Sequence, residues 1–306
     1  MKLDYTSPAT FYYLSRESGW RNPGVDNPFA SYHSFALYLS VVARPATSAP
    51  VTQVAVVERL QEVDRETRVL TNFIKLVNMS LKLYYDFMSQ PSRALYILFK
   101  KANIPFEAKA ISLRNGEHFS EEYTKIHPFN KVPAIEHNGF ALTESVAIAQ
   151  YLRREKIIPD NFYPTDSKLQ ARVDEFLMWH QFNVRAPCAL YFLLVPMLTG
   201  KQPSEKRVQN QTKKMVEALD VMENKVLSKG TKFLLGDKIT VADIFGACEI
   251  EQPRMAGYDP KEGRPNLAAW MESVRTEMNP YYDEAHQILN KISNKNEGTP
   301  KAKAKL

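Results

Sequence analysis

The sequence predicts an α/β plus all-α protein, an α/β domain followed by an all-helical one, on three observations. Apolar residues alternate through Leu81, Leu83, Tyr85 and Phe87, the period of a strand with one face in a core, and a helical period of Ala94, Leu95, Leu98, Phe99 and Ala102 follows at once. Asn138-Gly139 separates two short apolar runs, the sequence sign of a two-residue hairpin. From about Asp166 onward the apolar positions follow three- and four-residue spacings. With 306 residues and 44% hydrophobic content, the chain can bury two compact cores.

Residues 1–78 form an extra N-terminal extension. Pro8, Pro23, Pro28, Pro45 and Pro50 interrupt its first part, where disorder is expected. Val56, Leu60, Val63, Leu70, Phe73, Ile74 and Val77 then mark one face of an amphipathic helix over residues 54–77. Phe35–Ala43 is too short to span a bilayer and lies too far from the start for a secretory signal. Cys188 and Cys248 stand far apart in helical patterns, which fits small buried hydrophobes in a reducing compartment rather than a disulfide framework. The net charge of +6 is concentrated at the end, where residues 291–306 hold five lysines against Glu297 alone. The body of the chain has no basic stripe with interleaved aromatics, so nucleic acid is not an expected partner. No membrane span is expected either.

The first domain, residues 79–159, begins with the strand Leu81–Phe87. Ser89 follows in a tight turn, and Pro91 sets φ for a first helical turn. A hydroxyl is thereby delivered to a helix N-terminus, where unpaired N–H groups and the helix dipole favour an anion such as a thiolate. Ser89 as a plain helix cap is the competing reading. Phe106–Ile111 is a second strand. Leu113–Thr124 carries Arg114, His118 and Tyr123 on loop and short helix, with His118 read as a surface side chain or as the partner of a carboxylate. Pro133 precedes the third strand, at a place where a cis bond turns the chain and leaves the backbone of Val132 open to a peptide. Ala134–Glu136 and Phe140–Leu142 pair as the hairpin. Glu144-Ser145 then opens a helix running to Arg154. These pieces suit a short acidic thiol peptide with a carboxylate at each end.

Pro159 and Pro164 mark a linker to the second domain, residues 166–292. Leu169, Val173, Phe176, Leu177 and His180 line one helix, and Arg185, Pro187 and the apolar run Ala189–Leu198 follow. Met215, Leu219, Met222 and Val226 line another helix. Thr240-Val241-Ala242-Asp243 reads as a helix-start capping box with a structural role. Leu267, Trp270, Met271 and Val274 mark a further helix, and Tyr281–Ile292 a last one. Residues 293–306 form a basic flexible tail.

The stretch Leu81–Ile292 resembles the glutathione transferases, and Ser89-Gln90-Pro91-Ser92-Arg93-Ala94 most resembles their theta class. The resemblance implies a thioredoxin-like domain followed by an all-helical domain, assembled as a cytoplasmic homodimer. It makes Ser89 the catalytic residue, a hydrogen-bond donor to the thiolate of glutathione. It assigns His118 and Lys131 to the glycine end of glutathione, Val132 to the cysteinyl backbone, and Glu144 and Ser145 to the γ-glutamyl end. Arg185 matches a helical-domain arginine near the thiol and reads equally as an ordinary surface arginine. Pro133, Thr240 and Asp243 are structural positions. Glutathione is then a co-substrate, no metal is needed, and the second substrate is an electrophilic small molecule such as a halide, an epoxide or an organic hydroperoxide. Theta members often carry a longer C-terminal segment over the active site, whereas this sequence ends in Lys301-Ala302-Lys303-Ala304-Lys305-Leu306. A non-catalytic binding or assembly module with the same fold is the rival reading, and the presence of Ser89 argues against it.

Overall fold

A computed structural model describes residues 80–189 and 204–296. The predicted helix over 54–77, most of the run Ala189–Leu198 and the end of the basic tail lie outside these residues. The first domain is a four-stranded sheet of β1 (Leu81–Tyr85), β2 (Glu107–Ala110), β3 (Ala134–His137) and β4 (Phe140–Thr143), in the order β2-β1-β3-β4. β2 runs parallel to β1, and the other neighbours pair antiparallel. A parallel pair needs a crossover, and α1 (Gln90–Lys101) supplies it. Asn138 and Gly139 both take positive φ, 51° and 83°, the backbone a tight primed hairpin turn requires. α2 (Glu121–Ile126) and α3 (Ser145–Arg154) complete this thioredoxin-like unit, α3 with the bounds expected from sequence.

Among the described residues the second domain is built of helices. α4 (Ser167–His180) continues through a π-turn, Gln181–Arg185, into α5 (Ala186–Ala189). α6 (Glu205–Val221) likewise ends in a π-turn, Met222–Val226. α7 (Val241–Ile250), a 3-10 turn (Gln252–Ala256) and α8 (Pro265–Met278) follow. Two helices organise the packing. α7 is buried along its whole length, and α1 is buried from Gln90 to Phe99. α1 packs against β1 and α3 of the sheet domain and against α7 of the helical domain, so it belongs to the cores of both.

Two expectations need correction. The segment read as a linker is packed: Phe162 and Tyr163 are buried, the Tyr163 hydroxyl donates to Asp174 Oδ1, and Val241 N donates to Phe162 O at 2.8 Å. Its prolines therefore shape a fixed joint. The last predicted helix is two helices, α9 (Tyr281–Ala285) and α10 (Gln287–Asn296). At the break the His286 ring stacks on Tyr282, with ring centres 4.2 Å apart, and its Nδ1 lies 2.7 Å from the Tyr282 carbonyl. α10 also runs past the expected start of the tail, and Ser293 on it is buried.

The capping box is present, and its acid does more than cap. Asp243 Oδ2 accepts from Thr240 N at 2.9 Å and from Thr240 Oγ1 at 3.1 Å, while Oδ1 accepts from Leu234 N at 2.7 Å and Trp270 Nε1 at 2.9 Å. Four donors converge on one buried carboxylate, and α7, α8 and the preceding loop are fixed together by it. Asp243→Ala would leave those donors without an acceptor in the core, and we expect a loss of roughly 2–4 kcal/mol of unfolding free energy in chemical denaturation. A loss below about 1 kcal/mol, the size of an ordinary exposed helix cap, would show that the carboxylate serves only as a cap.

Candidate functional site

The turn between β1 and α1 brings Ser89 to the first end of a helix of twelve residues. Ser89 has extended backbone angles, φ −89° and ψ 124°, as an N-cap residue should. Its amide donates to Asp86 O at 2.9 Å, and Asp86 Oδ1 accepts from Met88 N at 2.7 Å. The Ser89 hydroxyl accepts from Ser92 N and donates to Val132 O, both at 3.4 Å. Both bonds are long enough to be weak. The capping reading is therefore correct but incomplete, since a loosely held, half-buried hydroxyl at a helix N-terminus remains available to an anion. Ser92, one turn along, is fully buried and its hydroxyl has no partner.

Val132 joins this group through its carbonyl. The bond between Val132 and Pro133 is cis, and the Val132 N–H has no hydrogen-bond partner among the described residues. Lys131 beside it is exposed, its carbonyl held by the Tyr123 hydroxyl at 2.6 Å. Glu144 occupies the N-cap position of α3 with φ 65° and ψ 105°, a conformation that costs a non-glycine residue roughly 1–3 kcal/mol. Its side chain is exposed, and Ser145 next to it is 4% exposed.

His118 departs from the surface reading. It is 8% exposed on the 3-10 turn Glu117–Phe119, its Nδ1 has no partner, and its ring lies 3.9 Å from that of Phe119. Burial lowers its pKa, with Asp86 opposing weakly, so neutral imidazole is favoured.

A cavity of about 530 Å³ opens between the two domains. Gln90, Glu144 and Ser145 line it from the sheet domain, and Met178, Phe182 and Arg185 line it from the helical domain. Ser89, Val132, Lys131 and His118 are not on its wall; Ser89 is bonded to Val132, while Glu144, Ser145 and Arg185 share the cavity, and Lys131 and His118 stand apart from both. Arg185 is no ordinary surface side chain. Its Nε is 3.6 Å from Glu249 Oε1, and its Nη1 donates to Gln181 Oε1 at 3.0 Å. Glu249 is buried, which pushes its carboxyl up to about 7 against the pull of Arg185 and Arg93. Sequence reasoning picked out none of Gln90, Met178 or Glu249 as site residues. The only signal for Glu249 was a lone acid inside the apolar run Ile244–Ile250.

The glutathione S-transferase N-terminal domain model matches residues 79–154, and the C-terminal domain model matches residues 186–277. Glutathione S-transferase theta-1 of Bos taurus is 38% identical over 232 residues, 74% of this chain and 96% of that protein. Glutathione S-transferase theta-2 of Mus musculus is 39% identical over 198 residues, 64% of this chain and 81% of the relative. Among solved structures, human glutathione transferase theta-2 in complex with glutathione superposes with a TM-score of 0.66 at 37% identity, covering 71% of this chain and 90% of that one. The chain belongs to the glutathione S-transferase family, and these relatives are of its theta class.

Proposed function

We propose that this protein conjugates the thiolate of glutathione to small electrophiles, with Ser89 stabilising the thiolate. The observation that carries the reading is the Ser89 hydroxyl at the start of α1, weakly bonded and 3.4 Å from the carbonyl of Val132. A peptide thiol paired with the Val132 backbone would bring its sulfur toward that hydroxyl. Glu144 and Ser145, which line the adjoining cavity, suit the amine and carboxylate of a γ-glutamyl group. Lys131 and His118 suit the glycine carboxylate. The apolar side chains Met178 and Phe182 suit the electrophile.

A free thiol titrates near 8.5, so only about 3% is thiolate at pH 7. A hydrogen bond from Ser89 together with the α1 dipole lowers that value by one or two units, at about 1.4 kcal/mol per unit. The thiol proton leaves to solvent. Sulfur then attacks the electrophilic carbon, forming the C–S bond as halide departs with its electron pair, or as an epoxide C–O bond opens and the oxygen takes a proton. Attack on the oxygen of an organic hydroperoxide yields the alcohol and a glutathione sulfenate, which a second glutathione resolves to the disulfide. The cytoplasmic homodimer that the family suggests is part of the same proposal, and exposed Phe119 and Phe129 on the sheet domain are candidates for its interface.

Ser89→Ala should lower kcat by roughly 10²–10³ while the KM for glutathione stays near wild type, because the lost bond acts on the thiolate. Turnover near wild type sinks the assignment, and retention on immobilised glutathione without turnover by the unmodified protein favours the binding module. Glu144→Gly should hold or raise the melting temperature, since glycine accepts the backbone freely, yet lower glutathione affinity at least about tenfold. A destabilised variant with intact affinity would reverse the assignment. Sedimentation at micromolar concentration should give twice the chain mass, and a monomer with full activity would remove the dimer.

A further inference from the structure

The activating turn is held from the other domain. Met88 and Ser89 share one peptide unit, whose N–H donates to Asp86 O at 2.9 Å and whose C=O accepts from Gln252 Nε2 at 3.1 Å. Gln252 belongs to the 3-10 turn after α7 and is 2% exposed. Its other amide atom, Oε1, accepts from Arg93 Nη2 at 2.6 Å. Arg93 can only donate, so the Gln252 oxygen must face it and the NH₂ must face the Met88 carbonyl. Arg93 in turn donates to Phe87 O at 2.7 Å, through Nη1. The carbonyls of the two residues before Ser89 are thus fixed by one chain of bonds that begins in the helical domain.

We propose that Gln252 is a positioning residue for Ser89: its donor bond to the Met88 carbonyl sets the plane of the Met88–Ser89 peptide, and with it the direction of the Ser89 hydroxyl. The inference rests on the reading of Ser89 as the thiolate donor. Rotation of that peptide unit moves the Ser89 Cα–Cβ bond directly, while Val132, Glu144 and Ser145 stay where they are. Losing the bond should therefore affect thiolate stabilisation and spare ground-state binding of glutathione.

The test is Gln252→Glu in the full chain. Glutamate keeps the size and an acceptor for Arg93, but it has no donor for the Met88 carbonyl and sets a carboxylate against it. The expected result is a kcat lowered roughly tenfold, a KM for glutathione within about twofold of wild type, and an upward shift of the kinetic pKa in the pH profile of kcat/KM, matched by lower ultraviolet absorbance of the bound thiolate. Gln252→His, whose ring offers one donor and one acceptor, should recover most of the loss. Wild-type kcat and pH profile in Gln252→Glu overturn the proposal. So does a melting temperature that falls in both variants together with their activity, since that marks a merely structural residue. Ser89→Ala, measured alongside, separates the two readings: if it is inactive while Gln252→Glu behaves as wild type, only the positioning role falls, and if it is fully active, both fall.

Discussion

The guanidinium of Arg93 is the constraint on which both domains depend. It is fully buried, and its bonded partners are neutral: the carbonyls of Phe87 and Cys248 and the amide oxygen of Gln252. Burial lowers its pKa, with the Cys248, Glu249, Tyr282 and Glu251 groups pulling the other way, yet an arginine keeps its proton in such a place. An unpaired buried cation costs several kcal/mol, so the chain must keep these acceptors around it. Because they come from the turn before α1, from α7 and from the turn after α7, satisfying one charge fixes where the helical domain sits on the sheet domain.

That arrangement separates stability from chemistry. α7 is held at its start by Asp243, which gathers donors from the loop before it and from α8, and at its end by Arg93. Gly246 at its middle lets Phe176 of α4 approach so closely that a Cβ there would lie 3.1 Å from the ring. α1, with the weakly bonded Ser89 hydroxyl at its N-cap, packs against α7.

Much of this was legible in the sequence where the signal is local. Alternation gave β1, Asn138-Gly139 gave the hairpin, and Thr240 to Asp243 gave the start of α7. Residues whose function depends on packing were not legible. His118 reads as a surface histidine because its polar neighbours Asn115, Glu117 and Ser120 suggest an exposed turn, and the packing that buries it is not written in the local sequence. Gln252 and Arg93 are more than 150 residues apart, and their bond follows only from the meeting of α1 and α7. The break at His286 was missed for a related reason: helical spacing continues through it, and only the turn of its side chain back onto Tyr282 divides the two helices.

Arg185 and Ser89 differ in what they can offer a bound thiolate. Arg185 carries a full charge, but Glu249 lies 3.6 Å from it, and two such charges attract by about 5 kcal/mol at an effective dielectric constant near 20. When Glu249 is ionised the pair is neutral overall, and Arg185 offers chiefly shape and hydrogen-bond donors to the cavity wall. Below pH 7 Glu249 takes a proton and the arginine charge is released, but free thiols are then almost fully protonated. The start of α1 has no such counter-charge in its first turn. On the proposed reading, a thiolate beside Ser89 would draw its stabilisation from a hydroxyl and a helix N-terminus that do not change with pH, and the direction of that hydroxyl would matter more than the nearest cation.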